Sequence, residues 1–580
     1  MNDTPSTQRK PAENPKDTFS WQAALLLLAI VATAVVIPMF FLDNASGHDF
    51  QFHLGSWMDA AGQWKEGVLY PRWAEWANWG FGEPRFLFYP PASWMFGAAL
   101  GTVLPWRVAP GAFIWLALVA AGMSMWKLAR EWLPGRQAAA AAVLFAVNPY
   151  HLVIVYYRSD FAELLAAVFW PLLLWAALHA MRGEWRWAPA LAIFFCAIWL
   201  SNAPAAVIAT YSLILLMAVA CAMRRSVQPG MIISAGMAGG FGLASFYILP
   251  AAWEQRWVQI AQVVTENLHP VQNFLFTRSI NPEFELFNWK VSGVAMEVML
   301  VTGLGAVFSA RRRKEYAEVW WPLLALGAAS ALMMFRPSEA LWDNLPKLRF
   351  VQFPWRWLEP LNLVLAFFVA AGIGSLRRSA ARKLAALLLI AALAGTATLL
   401  ILDGWWDSGD VPFLLHSIHA DRGYEGTNEY QPVGSDRSNL PGYTDDADDN
   451  PELPSTPRIE GFDSATGKLV PVEGIRVHAW TAEQKIFTSQ ASGPETLAIR
   501  LVEYPAWTLF IDSKPAQPGT VPDSGEMLVP LPAGAHHVEL DFRRTPDRTI
   551  GAAISGFSAI AILVFVWARP WFGRSRQKFV

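Results

Sequence analysis

The stretch WQAALLLLAIVATAVVIPMFFL, Trp21–Leu42, carries no charged residue, and DNASGHDFQFHL, Asp43–Leu54, follows it directly. Twenty-two residues of helix reach about 33 Å, enough to cross the roughly 30 Å hydrocarbon core of a bilayer. Residues 1–20 precede it, polar and expected to be disordered. The run therefore reads as an uncleaved anchor, although Ala45-Ser46-Gly47 faintly resembles a signal cleavage site. Working outward, further apolar runs are expected to span at 108–126, 137–154, 161–180, 187–201, 204–222, 229–252, 291–309, 319–336, 357–375, 383–403 and 550–568, twelve in all. The boundary at Ser201-Asn202-Ala203-Pro204 is open: Pro204 either begins a helix or kinks one long helix. Composition agrees with this reading. Of 580 residues, 54% are hydrophobic and 16% charged, against roughly 25% charged in an ordinary soluble chain. This is a mainly α, polytopic membrane protein, which excludes a cytosolic enzyme, a nucleic-acid binder and a secreted module.

Charge orients the spans. The segments 1–20, 123–136, 181–187, 223–228, 310–318, 376–383 and 568–580 hold 22 of the 45 Lys and Arg but 7 of the 47 Asp and Glu. Basic loops on alternate sides place both termini in the cytoplasm. The expected domains are the tail 1–20, a membrane domain 21–403 with a long first outer loop 43–107, an outer domain 404–549, and a last span with basic tail, 550–580. The outer domain carries 23 acidic and 11 basic residues. Alternation over Glu495–Asp512, Met527–Leu531 and His537–Phe542, with a turn at Pro532-Ala533-Gly534, predicts an antiparallel β-sandwich from about 465 to 545. Asp445, Asp446, Asp448 and Asp449 read as a solvated loop without calcium-loop spacing. The apolar run 92–104 is too short to span and reads as a juxtamembrane or re-entrant helix. Cys196 and Cys221 lie in apolar runs, which argues against a disulfide or thiolate zinc site outside the membrane. No phosphate-binding loop is present, which argues against a nucleotide-driven pump.

Chemistry gathers at the outer ends of the spans. In Gly47-His48-Asp49-Phe50-Gln51-Phe52-His53, Asp49 and His53 stand four apart and share a helix face. They suit a base with its orienting partner, or two ligands of a divalent cation; alternatively, Asp49 caps the helix. Tyr70-Pro71-Arg72-Trp73, Gly80-Phe81-Gly82 and Phe88-Tyr89-Pro90-Pro91 form an aromatic loop, suited to stacking on sugars or to an interfacial belt. Arg158, Asp160 and Glu163 lie where an ionisable group is costly: a functional site or a local ion pair. Arg336, Arg349 and Arg356 precede the tenth span among aromatics and suit a lipid phosphate, or snorkel to ordinary headgroups.

Taken in order, Gly47-His48-Asp49 with His53, Tyr70-Pro71-Arg72-Trp73, Gly80-Phe81-Gly82, Phe88-Tyr89-Pro90-Pro91, Arg158 with Glu163, Gln352-Phe353-Pro354-Trp355-Arg356, Gly423-Tyr424-Glu425-Gly426 with Glu429-Tyr430, and Tyr504-Pro505-Ala506-Trp507 carry a family resemblance. They resemble bacterial multispan proteins related to 6-pyruvoyl-tetrahydropterin synthase, close to the YfhO-like proteins, and through them the GT-C glycosyltransferases. The pterin name implies little: pterin synthases are small soluble zinc enzymes with clustered His, and His48 and His53 make a pair at most. The GT-C resemblance implies two juxtamembrane helices and a carboxylate just past the first span, matched by Asp49. It also implies an acidic residue in the second outer loop, matched by Asp160 or Glu163, and sugars drawn from polyprenyl-phosphate donors. Asp49, His53, Asp160 and Glu163 are then the candidate catalytic residues. His48, Arg72, Tyr89, Arg158, Arg349, Arg356, Tyr424 and Glu429 are the candidate substrate contacts, and Asp49 and His53 the candidate cation ligands. The implied function is sugar transfer to a cell-envelope acceptor at the outer face of the bacterial inner membrane. The alternatives are a lipid-linked glycan flippase and a non-catalytic envelope assembly protein.

Overall fold

The computed structural model describes residues 19–443 and 454–575, save 266 and 377. Most of the expected N-terminal tail, the acidic run Asp445 to Asp449 and the end of the basic tail lie outside the described residues. Among the described residues, nine helices are long and apolar enough to cross a membrane, or eleven if each of two bent helix pairs is one span. The pairs are Gln228–Leu243 with Ser245–Trp257, bent by 72°, and Ala317–Met333 with Arg336–Asn344, bent by 96°. The remaining expected span, 187–201, is the helix Ala188–Ser201. With Trp185–Trp187 ahead of it, it makes the apolar helix Trp185–Ser201, shorter than the other candidate spans.

The open boundary resolves into two helices. Asn202 is extended, and its side-chain oxygen accepts from the Ala205 N–H at 2.8 Å. Pro204 falls in the first turn of Ala203–Arg224, where the N–H it lacks would have no partner. A first-turn proline also starts the helices at Ala109, Pro149, Trp170, Gln228 and Pro282. Gly135–Arg158, Phe161–Met181 and Pro354–Ser375 are innermost, whereas Ser379–Leu402 and Pro546–Ala568 expose nearly all of their apolar surface. That surface suits lipid, since a helix satisfies its own backbone.

Between the first span and the next, Phe50–Lys65 crosses Pro91–Val103, the short helix expected at 92–104. A side chain at Gly97 would come within 2.1 Å of the Trp57 ring, so this close crossing requires glycine.

The strands form two antiparallel five-stranded sheets. In spatial order, one runs Gly519–Thr520, Glu526–Leu531, Glu495–Val502, Ile459–Asp463, Lys468–Val470. The other runs Ile475–Thr481, Gln484–Ala491, Gly534–Phe542, Trp507–Ile511, Lys514–Ala516. Leu497, Ile499, Leu501, Met527 and Val529 of the first sheet share one core with Phe487, Leu509, Val538 and Leu540 of the second. This is the expected sandwich, and its alternation is the cause: one face of each strand is apolar. Residues 404–443 do not join the sheets. Trp406–Asp407 pairs with Asn44–Ala45, and Tyr424 bridges to Ala77.

The aromatic loop is neither a sugar platform nor a membrane belt over most of its length. Trp73, Leu87 and Phe88 are buried in the sandwich core, with Trp73 edge-on to Trp507 at 5.7 Å. The Phe81 carbonyl accepts from the Val502 N–H at 3.1 Å, and Lys485 pairs with buried Glu75 at 2.7 Å. The loop is the socket in which the sandwich sits. Trp73→Ala is therefore expected to cost ~3–5 kcal/mol through the cavity it leaves. It should expose residues 454–545 to limited proteolysis at protease levels that spare the native protein. Equal resistance would remove Trp73 from this role.

Candidate functional site: a buried charge cluster around Arg158

Three segments converge at the sandwich side of the helix bundle. The first is the turn between the first span and Phe50–Lys65. The Asp49 N–H donates to the Arg158 carbonyl at 2.9 Å, and a Cβ on Gly47 would lie 2.2 Å from the Tyr157 carbonyl oxygen, so only glycine fits there. The second is the break after Arg158. Ser159 adopts the left-handed region (φ 54°) and Asp160 caps the next helix, accepting from the Glu163 N–H at 2.9 Å. This break turns Arg158, Asp160 and Glu163 to one point. The third is the turn Pro354–Trp357, which brings Arg356 in from the opposite side.

Arg158 touches all three carboxylates: Asp49 at 2.9 Å, Asp160 at 3.1 Å and Glu163 at 2.9 Å. Arg356 meets Asp160 at 3.2 Å and Glu163 at 3.1 Å, and donates further to the Val351 carbonyl and to Gln352. Tyr150 donates its hydroxyl to Glu163. Both guanidiniums lie over the Phe353 ring, and Arg158 also over Trp355. His53 Nε2 stands 3.8 Å from Asp160 and has no hydrogen-bond partner among the described residues. Two guanidiniums face three carboxylates, a net charge of −1 with His53 neutral. Burial alone would raise the Asp160 carboxyl, but Arg158, His53 and Arg356 hold it below the usual carboxylate range. His53, Tyr150, Arg158, Asp160, Glu163 and Arg356 are buried, whereas the Asp49 side chain is 36% exposed. Its Oδ2 takes Arg158, and its Oδ1 has no hydrogen bond among the described residues.

Asp49, His53, Arg158, Asp160, Glu163 and Arg356 are thus brought together. Tyr89 joins them: its ring lies 5.7 Å from His53, and burial, with Asp160 and Asp49 nearby, pushes its hydroxyl well above the usual range. His48, next to Asp49, packs against Trp405 at 4.6 Å and Phe287 at 5.2 Å; burial lowers its imidazole below the usual range, with Asp49 and Arg158 acting on it in opposite directions. The other candidates lie elsewhere. Arg349 is exposed and pairs with Asp343 at 3.0 Å, so it shares no phosphate groove with Arg356, whose own donors are taken by carboxylates and backbone. Arg72 lies beside Glu483 of the sandwich. Tyr424 donates to Asp59, whose carboxyl burial pushes up to about 7, and Glu429, also raised by burial, lies near the buried Glu83–Arg85 pair. That polar seam ties residues 424–437 to residues 59–85.

As cation ligands, Asp49 and His53 do not converge: one faces Arg158, the other Asp160. Among the described residues, no three His, Cys, Asp or Glu side chains could hold a metal ion. The carboxylates already have guanidinium counter-ions, and the donor set does not fit a divalent cation.

Sequence reasoning missed Tyr150 and the buried His151–Glu359 pair at 2.9 Å. It also missed Lys290, which pairs with Asp403 one turn along the helix from Phe287. Glu359, inside an apolar run, and Lys290, at the edge of one, were the available signal.

No curated protein matches the chain. Among solved structures, the chain is similar to the Archaeoglobus fulgidus oligosaccharyltransferase in its apo form. The TM-score is 0.43 at 12% identity, over 72% of this chain and 61% of that one. The archaeal oligosaccharyltransferase AglB from the same organism, in complex with an inhibitory peptide and a dolichol-phosphate, gives 0.42 at 15% identity, over 71% and 61%. The chain spans about three-fifths of the length of these structures. The family model of the 6-pyruvoyl-tetrahydropterin synthase related domain, described as a membrane protein, matches residues 86–406, more than half of the chain. That stretch takes in Arg158, Asp160, Glu163 and Arg356, and with it the chain belongs to the 6-pyruvoyl-tetrahydropterin synthase related family of membrane proteins.

Proposed function

We propose that this membrane protein transfers a sugar from a polyprenyl-phosphate donor to a cell-envelope acceptor, at the outer face of the bacterial inner membrane with both termini cytoplasmic. The observation that carries the reading is the Asp49 carboxylate: partly exposed, held on one oxygen by Arg158 and open on the other. In this reading the acceptor hydroxyl gives its proton to Asp49 Oδ1 as its oxygen attacks the anomeric carbon. The bond from that carbon to the donor phosphate breaks, and its electron pair leaves on the phosphate oxygen. Arg158 fixes the base in position. Asp160 and Glu163, which hold Arg158, and Arg356, which holds those two carboxylates, are positioning residues, because they do not reach solvent. Lys290, one-third exposed, is the basic group offered to the donor phosphate in place of Arg349 and Arg356. Base catalysis needs a carboxylate within hydrogen-bond reach of the hydroxyl, and Asp49 is the member of the cluster open to one.

The His151–Glu359 pair lies within two turns of the same end of its spans, at residue 151 of Gly135–Arg158 and 359 of Pro354–Ser375. It extends the cluster and makes no path across the bundle, so it lends no support to a flippase. The reading is tested in a lipid extract of cells lacking the protein, where an unused polyprenyl-phosphate sugar should accumulate. An unchanged lipid profile together with an unchanged envelope glycan would sink it.

A further inference from the structure

A cavity of about 160 Å³ lies where the first outer segment, the helix Ser245–Glu254 and the start of the last span meet. It shares no lining residue with the Asp49 cluster. Its walls differ in kind. Phe246 and Ala552, from two spans, form an apolar side, and the neighbouring Trp253, Ile550 and Ile554 are exposed. Tyr70, Arg72, Arg544 and Arg548 bring polar groups to the other side.

These groups are not equally engaged. Arg548 is committed, donating from Nε and Nη2 to Glu254 at 2.7 and 2.8 Å. Arg544 is exposed, donates to the Arg548 carbonyl at 3.2 Å, and forms no ion pair among the described residues. Arg72 donates to the Tyr70 carbonyl at 3.0 Å and meets its carboxylate, Glu483, at 4.0 Å, the edge of ion-pair range. The Tyr70 hydroxyl makes no hydrogen bond among the described residues. Three guanidiniums stand against Glu254 and Glu483, with the Asp547 carboxyl beside Glu254, and Arg544 is the guanidinium without an ion-pair partner among the described residues. Guanidinium forks match the oxygens of a phosphate, and an apolar wall continuous with outward-facing span surface matches hydrocarbon.

We infer that this cavity seats the phosphate headgroup of an anionic membrane lipid, held by Arg72, Arg544 and the Tyr70 hydroxyl, with the acyl chains running out past Phe246 and Ala552. The cavity is too small for the chains, so they lie along the bundle surface. Such a lipid would join the first outer segment, the bent helix and the last span at one point. The assignment does not depend on sugar transfer.

The test uses full-length protein in a neutral detergent. It is titrated with phosphatidylglycerol, with diacylglycerol, which lacks the phosphate, and with glycerol phosphate, which lacks the chains. Binding is read from the unfolding midpoint and from lipid retained in native mass spectrometry. Phosphatidylglycerol should raise the midpoint. Arg544→Gln and Arg72→Gln should each weaken it about tenfold, the loss of one charge-assisted contact. Arg476→Gln, an exposed arginine of the sandwich outside the cavity, should leave binding unchanged. If Arg72→Gln does not fold, Arg544→Gln, on an exposed side chain, carries the test alone. Native affinity in Arg544→Gln overturns the site. Diacylglycerol binding as tightly as phosphatidylglycerol overturns the phosphate contact, and glycerol phosphate binding as tightly overturns the lipid.

Discussion

Asp49→Asn is expected to lower sugar transfer by roughly 10²–10⁴-fold, the contribution of a positioned general base, while the protein stays in the membrane at its normal level. The substitution keeps the size of the side chain and removes its charge and basicity. Arg158 retains Asp160 at 3.1 Å and Glu163 at 2.9 Å, so the cluster keeps its internal partners. The alternative role for Asp49, capping Phe50–Lys65, predicts the reverse: lower abundance and unchanged activity per molecule. The geometry favours the first outcome, because Asp49 stands at the cap position but its side chain makes no capping hydrogen bond. The measurement is complementation of cells lacking the protein, reading donor lipid against protein amount. Normal clearance of the donor by Asp49→Asn would remove the base from the mechanism.

Arg158→Gln should act on the fold. Among the described residues, Arg158 is the one side chain that pairs with Asp49, Asp160 and Glu163 together. Without it the cluster goes from −1 to −2, with Arg356 alone against three carboxylates, two of them buried. Removing one partner of a buried ion pair costs ~3–5 kcal/mol, a large part of the 5–15 kcal/mol that holds an ordinary domain. The protein should lose abundance and unfold at lower temperature in detergent. The double variant Arg158→Gln/Glu163→Gln restores −1 and should regain part of the loss. A double variant no more stable than the single would mean that charge balance does not hold the site together.

The spans, the sandwich and the short helix Pro91–Val103 were legible because each follows a local period: an apolar run, an alternation, a run too short to cross. Arg158, Asp160 and Glu163 were legible for a related reason, since charge beside apolar runs stands out in a linear sequence. Arg356 was singled out as well, but for phosphate and not for the carboxylates it binds. Its partners lie about 195 residues away, and local spacing carries nothing about them. The same distance hid the fate of Trp73: its ring chemistry was plain, but the partner that buries it, Trp507, lies in another part of the chain. Arg349 and Arg356 looked equivalent in sequence because both adjoin aromatics, Phe350 in one case and Trp355 and Trp357 in the other. The turns at Gln352 and Pro354 send one to the surface and one to the centre.

The pairing of Asn44–Ala45 with Trp406–Asp407 has a consequence for biosynthesis. Asp49 leaves the ribosome early, but the strand that closes over its turn is 362 residues further along, counting from Asn44 to Trp406. At about 5–20 residues per second, that is a delay of roughly 20–70 s. Trp73 waits longer still for Trp507. During this interval the segment between the first two spans is exposed with its aromatic rings uncovered. The nascent chain is then most open to aggregation and to whatever chaperone attends that face, and a chain stopped before residue 406 could not close its own site.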